Sequence, residues 1–330
     1  MGSFRCRDRV LRAGAIVSWL VLFGSPASAS QPAPALDLYQ RLDEMHHTAW
    51  TGKDGLTGKP DSLAQTADGY LWIGTSNGLY RFDGVAFERY QPEAGALPAA
   101  SVNALLATRD GGLWVGYTRG GASFIAADGR LTNYSVEHGL PVGNIRDFAQ
   151  DQDGTMWVAA TGGLARLESG RWHSVRKDWN YPCLSAWKLL VQRDGTLWVG
   201  GASPNKLLFL PKGTRKFHDP GVNLEARALA QIGDTVFVTD GGKTVHRVRR
   251  GTDGSAESDV FGDVITSAMA RDHDGGLWFA GHGLTRLRVD GPAAELASNP
   301  VPSAPERFTI EQGLSARVAY DVLVDREQNV

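Results

Sequence analysis

Cysteine is almost missing from this sequence, and what remains cannot staple it. Of two cysteines in 330 residues, Cys6 lies in a leader-like stretch and Cys183 is left alone. An intramolecular disulfide is therefore excluded once the leader is gone, even in an oxidising compartment, and stability has to come from packing. An excess of charge of one sign is missing as well. Lysine and arginine number 34 against 36 acidic residues, a formal net charge of −2, and the basic residues are scattered along the chain. No global field draws it to nucleic acid, so none is expected as a partner. After residue 29 no apolar run reaches 18 residues, the minimum for a spanning helix. Proline is sparse, 15 residues against 40 glycines, a balance that suits a turn-dense all-β protein better than a helical one.

The N-terminus differs from everything after it. Arg5, Arg7, Arg9 and Arg12 precede an apolar run at 15–23 and a small-residue stretch ending Ala27-Ser28-Ala29. The run is too short to span a bilayer comfortably and a small-x-small site follows it. Residues 1–29 therefore read as a signal peptide cleaved after Ala29, with a retained anchor as the alternative. Residues 30–36 read as a short linker, and export places the remainder in the periplasm.

What the sequence has in abundance is a repeat. Asp-Gly-x-apolar-Trp-apolar recurs with tryptophans at Trp72, Trp114, Trp157, Trp198 and Trp278, and Phe237 fills the gap in a degraded copy. The steps are 42, 43, 41, 39 and 41 residues, a period that means propeller blades of short strands. In the second copy 101–108 reads as an inner strand, Asp110-Gly111-Gly112 as a hairpin turn, and 113–117, 121–125 and 131–135 as three further strands. The same four-stranded parse fits the other copies, the first giving 61–66, 71–74, 78–82 and 86–90. The recurrent aromatic is expected to wedge neighbouring blades together. The fold expected over 37–330 is an all-β propeller of six near-complete blades plus the start of a seventh. The last copy begins at Ala316 and reaches Val330 where a tryptophan is due next, so the chain reads as ending in mid-blade. The segment 45–50 reads as a closure strand for the final blade, removing an open sheet edge.

The runs AWTGKDGL at 49–56 and DGYLWIGTSNGLYRFDGVAF at 68–87 resemble the two-component regulator propeller repeat. The resemblance implies the extracytoplasmic, ligand-sensing part of a membrane-bound signalling protein, most often a sensor histidine kinase and sometimes a diguanylate cyclase. It also implies that further blades, a β-sandwich, a transmembrane helix and a catalytic domain follow. Kinase activity would belong to that portion, membrane attachment to its helix and any homodimer to the intact protein. No catalytic residue, metal or cofactor is assigned to residues 1–330.

In a propeller the loops joining second to third strands, and one blade's fourth strand to the next blade's first, share one end. There a ligand is expected. That end collects 52–59, 75–77, 118–120, 201–205 and His282. It also collects 177–183, which departs in sequence from its counterparts at 138–141 and 312–315. Trp179 and Tyr181 there, with Trp187, Asn205 and His282, are the candidate binding residues, the aromatics as a stacking platform for a small molecule or oligosaccharide. The competing reading is that Trp179, Tyr181 and Trp187 cover the seam between the third and fourth blades.

Other candidates fare less well. The Asp151–Asp153 and Asp272–Asp274 turns lack the later bidentate acid of a calcium loop and read as hairpin turns. The eight histidines, at 46, 47, 138, 173, 218, 246, 273 and 282, show no zinc spacing. Cys183 has no evident paired base and reads as a small buried residue. A streptogramin-lyase-like enzyme is one alternative, although Trp278 is followed by Phe-Ala-Gly-His without the acid those lyases carry. A protein-interaction scaffold is the other.

Overall fold

The computed structural model describes residues 48–50, 52–240, 244–251, 255–263, 266–287, 305–314, 316–327 and 329–330. The signal peptide, the linker, Cys6, His46, His47 and all but the end of the closure segment lie outside the described residues. Residues 42–330 form one compact unit.

Six antiparallel sheets follow one another along the chain, each built in sequence order from the centre outwards. In the second, strands Val102–Ala107, Leu113–Tyr117, Ala122–Ile125 and Leu131–Tyr134 pair in turn. The other inner strands are Pro60–Gln65, Ile145–Gln150, Ser185–Val191, Ala228–Ile232 and Thr266–Arg271. The Asp-Gly motif makes the first hairpin of a blade. In the third copy Gly154 has φ 85°, a left-handed conformation glycine adopts without steric cost, while the Asp151 carboxylate accepts the N–H groups of Asp153 and Thr155. That carboxylate is thereby occupied by the turn.

The repeated aromatics are wedges. Trp72 clusters with Val102 and Val115 of the next blade, Trp114 with Ile145 and Val158, and Trp157 with Leu189 and Val199. Trp198 clusters with Val236 and Val238, Phe237 with Leu277 and Phe279, and Trp278 with Val322. No single sheet could bury both its faces, so these seams are the core. In four of the five tryptophan copies the indole N–H also finds a partner. Nε1 donates to Thr66 Oγ1 (2.8 Å) from Trp72, Asp151 Oδ2 (3.0 Å) from Trp157, Gln192 Oε1 (2.6 Å) from Trp198 and Asp272 Oδ2 (3.1 Å) from Trp278. The acceptor opens the turn six residues earlier, so turn and wedge are one unit.

Three places depart from the parse. The fourth blade has three strands, not four. After Lys206–Leu210 the chain makes only an isolated bridge between Phe209 and His218. Phe217 is instead drawn into the seam with Trp157 and Leu189, which carries this stretch off the sheet edge. Residues 48–50 form no strand, and Trp50 lies edge-on to Phe82 of the first blade with ring centroids 4.8 Å apart, burying aromatic surface there instead. Finally, 316–327 lies as a lone segment, without strand pairing, in the seventh inner position. Ser267 Oγ of the sixth blade donates to the carbonyls of Ala319 and Tyr320, and Leu63 N–H of the first donates to Asp321 Oδ2 at 2.9 Å.

Candidate functional site

The inner strands share a defect with a consequence for function. Pairing with the second strand skips one residue in five blades: Asp61, Asn103, Arg146, Trp187 and Ser267. Each is a β-bulge residue, and a bulge re-aims its side chain out of the alternating pattern. All five stand eleven residues before the wedge tryptophan of their copy. The register places the start of each inner strand beside the end of the second strand, so the bulges sit at the end that carries the second-to-third-strand loops. Thr118 N–H to Ser101 O and Thr161 N–H to Asn144 O tie those loops to the strand starts.

Together the bulges ring the mouth of a central channel. Asp61, Asn103, Arg146 and Ser267, with Tyr320 from the lone segment, line a cavity of about 210 Å³ whose surface is mostly polar. Lys59 pairs with Asp61 at 2.8 Å and lies over the Tyr320 ring at 3.8 Å. The Arg146 and Arg227 guanidinium carbons lie 4.6 and 4.1 Å from the Trp187 ring centroid, and Arg227 pairs with Glu225 at 2.6 Å. Burial, then the neighbouring Arg227 charge, pushes the Arg146 pKa below its ordinary value.

One residue deeper lies a charged cluster. Lys188 Nζ is 3.7 Å from Asp147 Oδ2, which also accepts Leu189 N–H at 3.0 Å. Two carboxylates share this one ammonium. The Lys188 pKa is accordingly raised, by Asp147 first, while burial raises Asp147 and Asp321 against that attraction.

The candidates from the sequence fall in different places. Trp179 and Tyr181 are 8% and 2% exposed and belong to the seam between the third and fourth blades. Trp179 stands edge-on to Trp157, with Arg166 and Arg215 against its ring; Tyr181 donates to Ser185 O at 2.9 Å. For these two the seam reading describes their position, and the open stacking platform does not. Trp187 is half-buried at the channel mouth. Asn205 and His282 are exposed on loops at the same end.

The segment 177–183, which looks anomalous in sequence, folds like its counterparts. Lys177–Trp179, Val136–His138 and Ile310–Gln312 are all single 3-10 turns closed by a left-handed residue. Asn180 (φ 59°) stands where the others have Gly139 and Gly313, asparagine being the side chain that best tolerates that conformation. Tyr181 then matches buried Leu140 as an inward plug.

Cys183 is buried, donates to Pro204 O at 3.2 Å and has its pKa pushed up to about 11, chiefly by burial, which suits a packed thiol rather than a nucleophile. At the other end of the blade the Asp272 carboxylate is taken up by Gly276 N–H, Trp278 Nε1 and the Arg286 guanidinium. Among the described residues no three His, Cys, Asp or Glu side chains converge as a metal site would require. None of their helices is long and apolar enough to cross a membrane.

Of the bulge residues sequence reasoning singled out Trp187 and missed Asp61, Asn103, Arg146 and Ser267, and it missed the lysine beneath them. A signal was present. The column eleven residues before each wedge aromatic reads Asp61, Asn103, Arg146, Trp187, Ala226 and Ser267, differing in every blade while its surroundings repeat.

Comparison with known proteins agrees with this architecture. Residues 58–77 and 139–162 match the two component regulator propeller family. The chain thus carries repeats of that kind. The extracellular domain of a protein assigned as a one-component system of B. thetaiotaomicron superposes with a TM-score of 0.63 at 20% identity. It is covered over 81% of this chain and 36% of its own length. The extracellular domain of a hybrid two-component system from the same organism gives 0.66 at 17%, over 85% of this chain and 39% of its own. This chain therefore spans well under half of either. Virginiamycin B lyase from Staphylococcus aureus gives 0.57 at 15%, over 69% and 80%. At such identities these likenesses establish the fold alone. No curated protein matches the sequence.

Proposed function

We propose that this chain is an extracytoplasmic ligand-sensing propeller of a two-component signalling protein, with a small molecule or oligosaccharide bound at the channel mouth. The observation that carries the reading is the bulge ring. Five blades each break their own pairing at the same position; four of the bulge side chains, Asp61, Asn103, Arg146 and Ser267, line one cavity, and the fifth, Trp187, packs against Arg146. A ring used only for packing would repeat one residue type, as the wedge tryptophans do; a binding site requires chemically distinct groups converging on one space. The two component regulator propeller repeats and the extracellular domains of similar fold support the signalling context.

In this proposal the leader at 1–29 exports the chain to the periplasm, and output, a histidine kinase or a cyclase, resides in another part of the intact protein. Because the cavity draws on the first, second, third, fourth and sixth blades and on the lone segment, an occupant that fits one arrangement of blades better than another shifts that arrangement. Thermal unfolding of the exported chain against a panel of neutral oligosaccharides and small organic acids tests it. A ligand that binds only the folded state raises the unfolding midpoint by mass action. Trp187→Ala is expected to abolish that rise, while Asn205→Ala at the loop rim weakens it less. A ligand whose effect survives Trp187→Ala would place the site elsewhere.

A further inference from the structure

We infer that the channel mouth is a carboxylate site, with Arg146 as its anion-binding residue. The inference rests on the sensing reading above and adds the chemistry of the ligand.

Arg146 is the bulge residue of the third blade's inner strand and lines the cavity. Its guanidinium is held against Trp187, which fixes its plane before any ligand arrives. Its Nε is buried and makes no hydrogen bond, and among the described residues no carboxylate stands within ion-pair distance of it. Elsewhere in the channel each cation has an acidic partner. Arg227 has Glu225, Lys59 has Asp61, and Lys188 has Asp147 and Asp321. An unpaired, partly exposed guanidinium that lines a polar cavity is suited to pairing with a carboxylate through its Nη groups. The adjacent Arg227 makes the vacancy more electropositive, and an anion there would relieve the repulsion between the two cations.

The acids below set the limit of the site. Asp147 and Asp321 outnumber Lys188 and repel a second anionic group, so the carboxylate stays at the mouth. Whatever part of the ligand points inward must offer hydrogen-bond donors, as hydroxyl or ammonium groups do. The class is a small carboxylate carrying such donors, and a neutral molecule of the same shape is refused.

Acetate and acetamide, equal in size and different in charge, are the probes, followed through the Arg146 Nε–Hε resonance of the 15N-labelled folded chain. That resonance is assigned by its loss in Arg146→Gln. Acetate is expected to shift it saturably. Acetamide should act at least tenfold more weakly, and the shift of Trp187 Nε1 seen in the parent should vanish in Arg146→Gln. An Arg146 resonance that does not move with acetate, or that moves equally with acetamide, overturns the inference. A neutral sugar that raises the unfolding midpoint through Trp187 while acetate leaves Arg146 unmoved would retain the sensing site and eliminate its carboxylate chemistry.

Discussion

At the scale of single residues, the tryptophan of four repeats does two jobs that the sequence presents as one. Its ring fills the seam to the next blade, as its periodic recurrence suggests. Its N–H also ties the second strand back to the residue that opens the preceding turn, a contact invisible to pattern reading because Thr66, Asp151, Gln192 and Asp272 are different residue types. Trp157→Ala should therefore cost about 3–5 kcal/mol, the range for removing a large buried aromatic. Trp157→Phe keeps most of the wedge but leaves Asp151 Oδ2 without its donor, at about 1 kcal/mol. Urea unfolding with an unchanged slope is the measurement, and a Trp157→Phe chain as stable as the parent would refute a separate role for the N–H. The bulge residues were not legible by the same route. A bulge is a mismatch between two strands, and a sequence read one strand at a time does not show it.

At the scale of elements, the 177–180 turn shows how a conserved backbone shape hides behind changed side chains. Asn180 in place of glycine, and Tyr181 in place of leucine, make the segment look like a specialised loop. The backbone repeats the 3-10 turn that precedes the third blade and the seventh inner position. The aromatics are needed there because the fourth blade lacks a full outer strand. Phe217 N–H donates to Trp179 O at 2.8 Å and Asn180 Nδ2 to Phe217 O at 2.9 Å, tying the replacement segment to the turn. Asn180→Gly should cost about 1 kcal/mol, for the lost hydrogen bond alone. Asn180→Ala should cost a further 1–2 kcal/mol or so, because alanine resists the left-handed conformation. Thermal denaturation of the two variants separates the terms; alanine no worse than glycine would mean that the turn is not held left-handed.

At the scale of the whole molecule, two carboxylates tie inner strands together around the ring. Asp147 of the third blade accepts Leu189 N–H of the fourth, and Asp321 of the lone segment accepts Leu63 N–H of the first. The segment 316–327 thus links the sixth blade to the first by the device used between complete blades. Burial raises the pKa of Asp321 in the folded state. Such a group favours folding fully below its unfolded pKa, and that contribution is lost as pH rises through the folded value, so at neutral pH its charge is a cost. Asp321→Asn keeps an acceptor for Leu63 N–H and removes the charge. Its unfolding midpoint should exceed the parent's at pH 7, and the two should converge as pH falls towards the ordinary carboxylate range. A variant less stable at pH 7 would show that Asp321 is held mainly by its attraction to Lys188.

The sequence by itself determined the blade. A period near 40, Asp-Gly turns and an aromatic every repeat are local instructions, each satisfied within or between adjacent sheets, so six blades and their wedges could be read directly from the order of residues. Tertiary structure decided which residues face the channel. That depends on bulges in strand pairing and on inner strands distant in sequence converging on one axis, which brings Asp61, Arg146, Lys188 and Asp321 around one cavity. It also decided that Trp179 and Tyr181 belong to a seam and Trp187 to the mouth. A strand's side-chain alternation is fixed by local geometry, but a one-residue bulge reverses it, and only the paired strand reveals where the bulge falls.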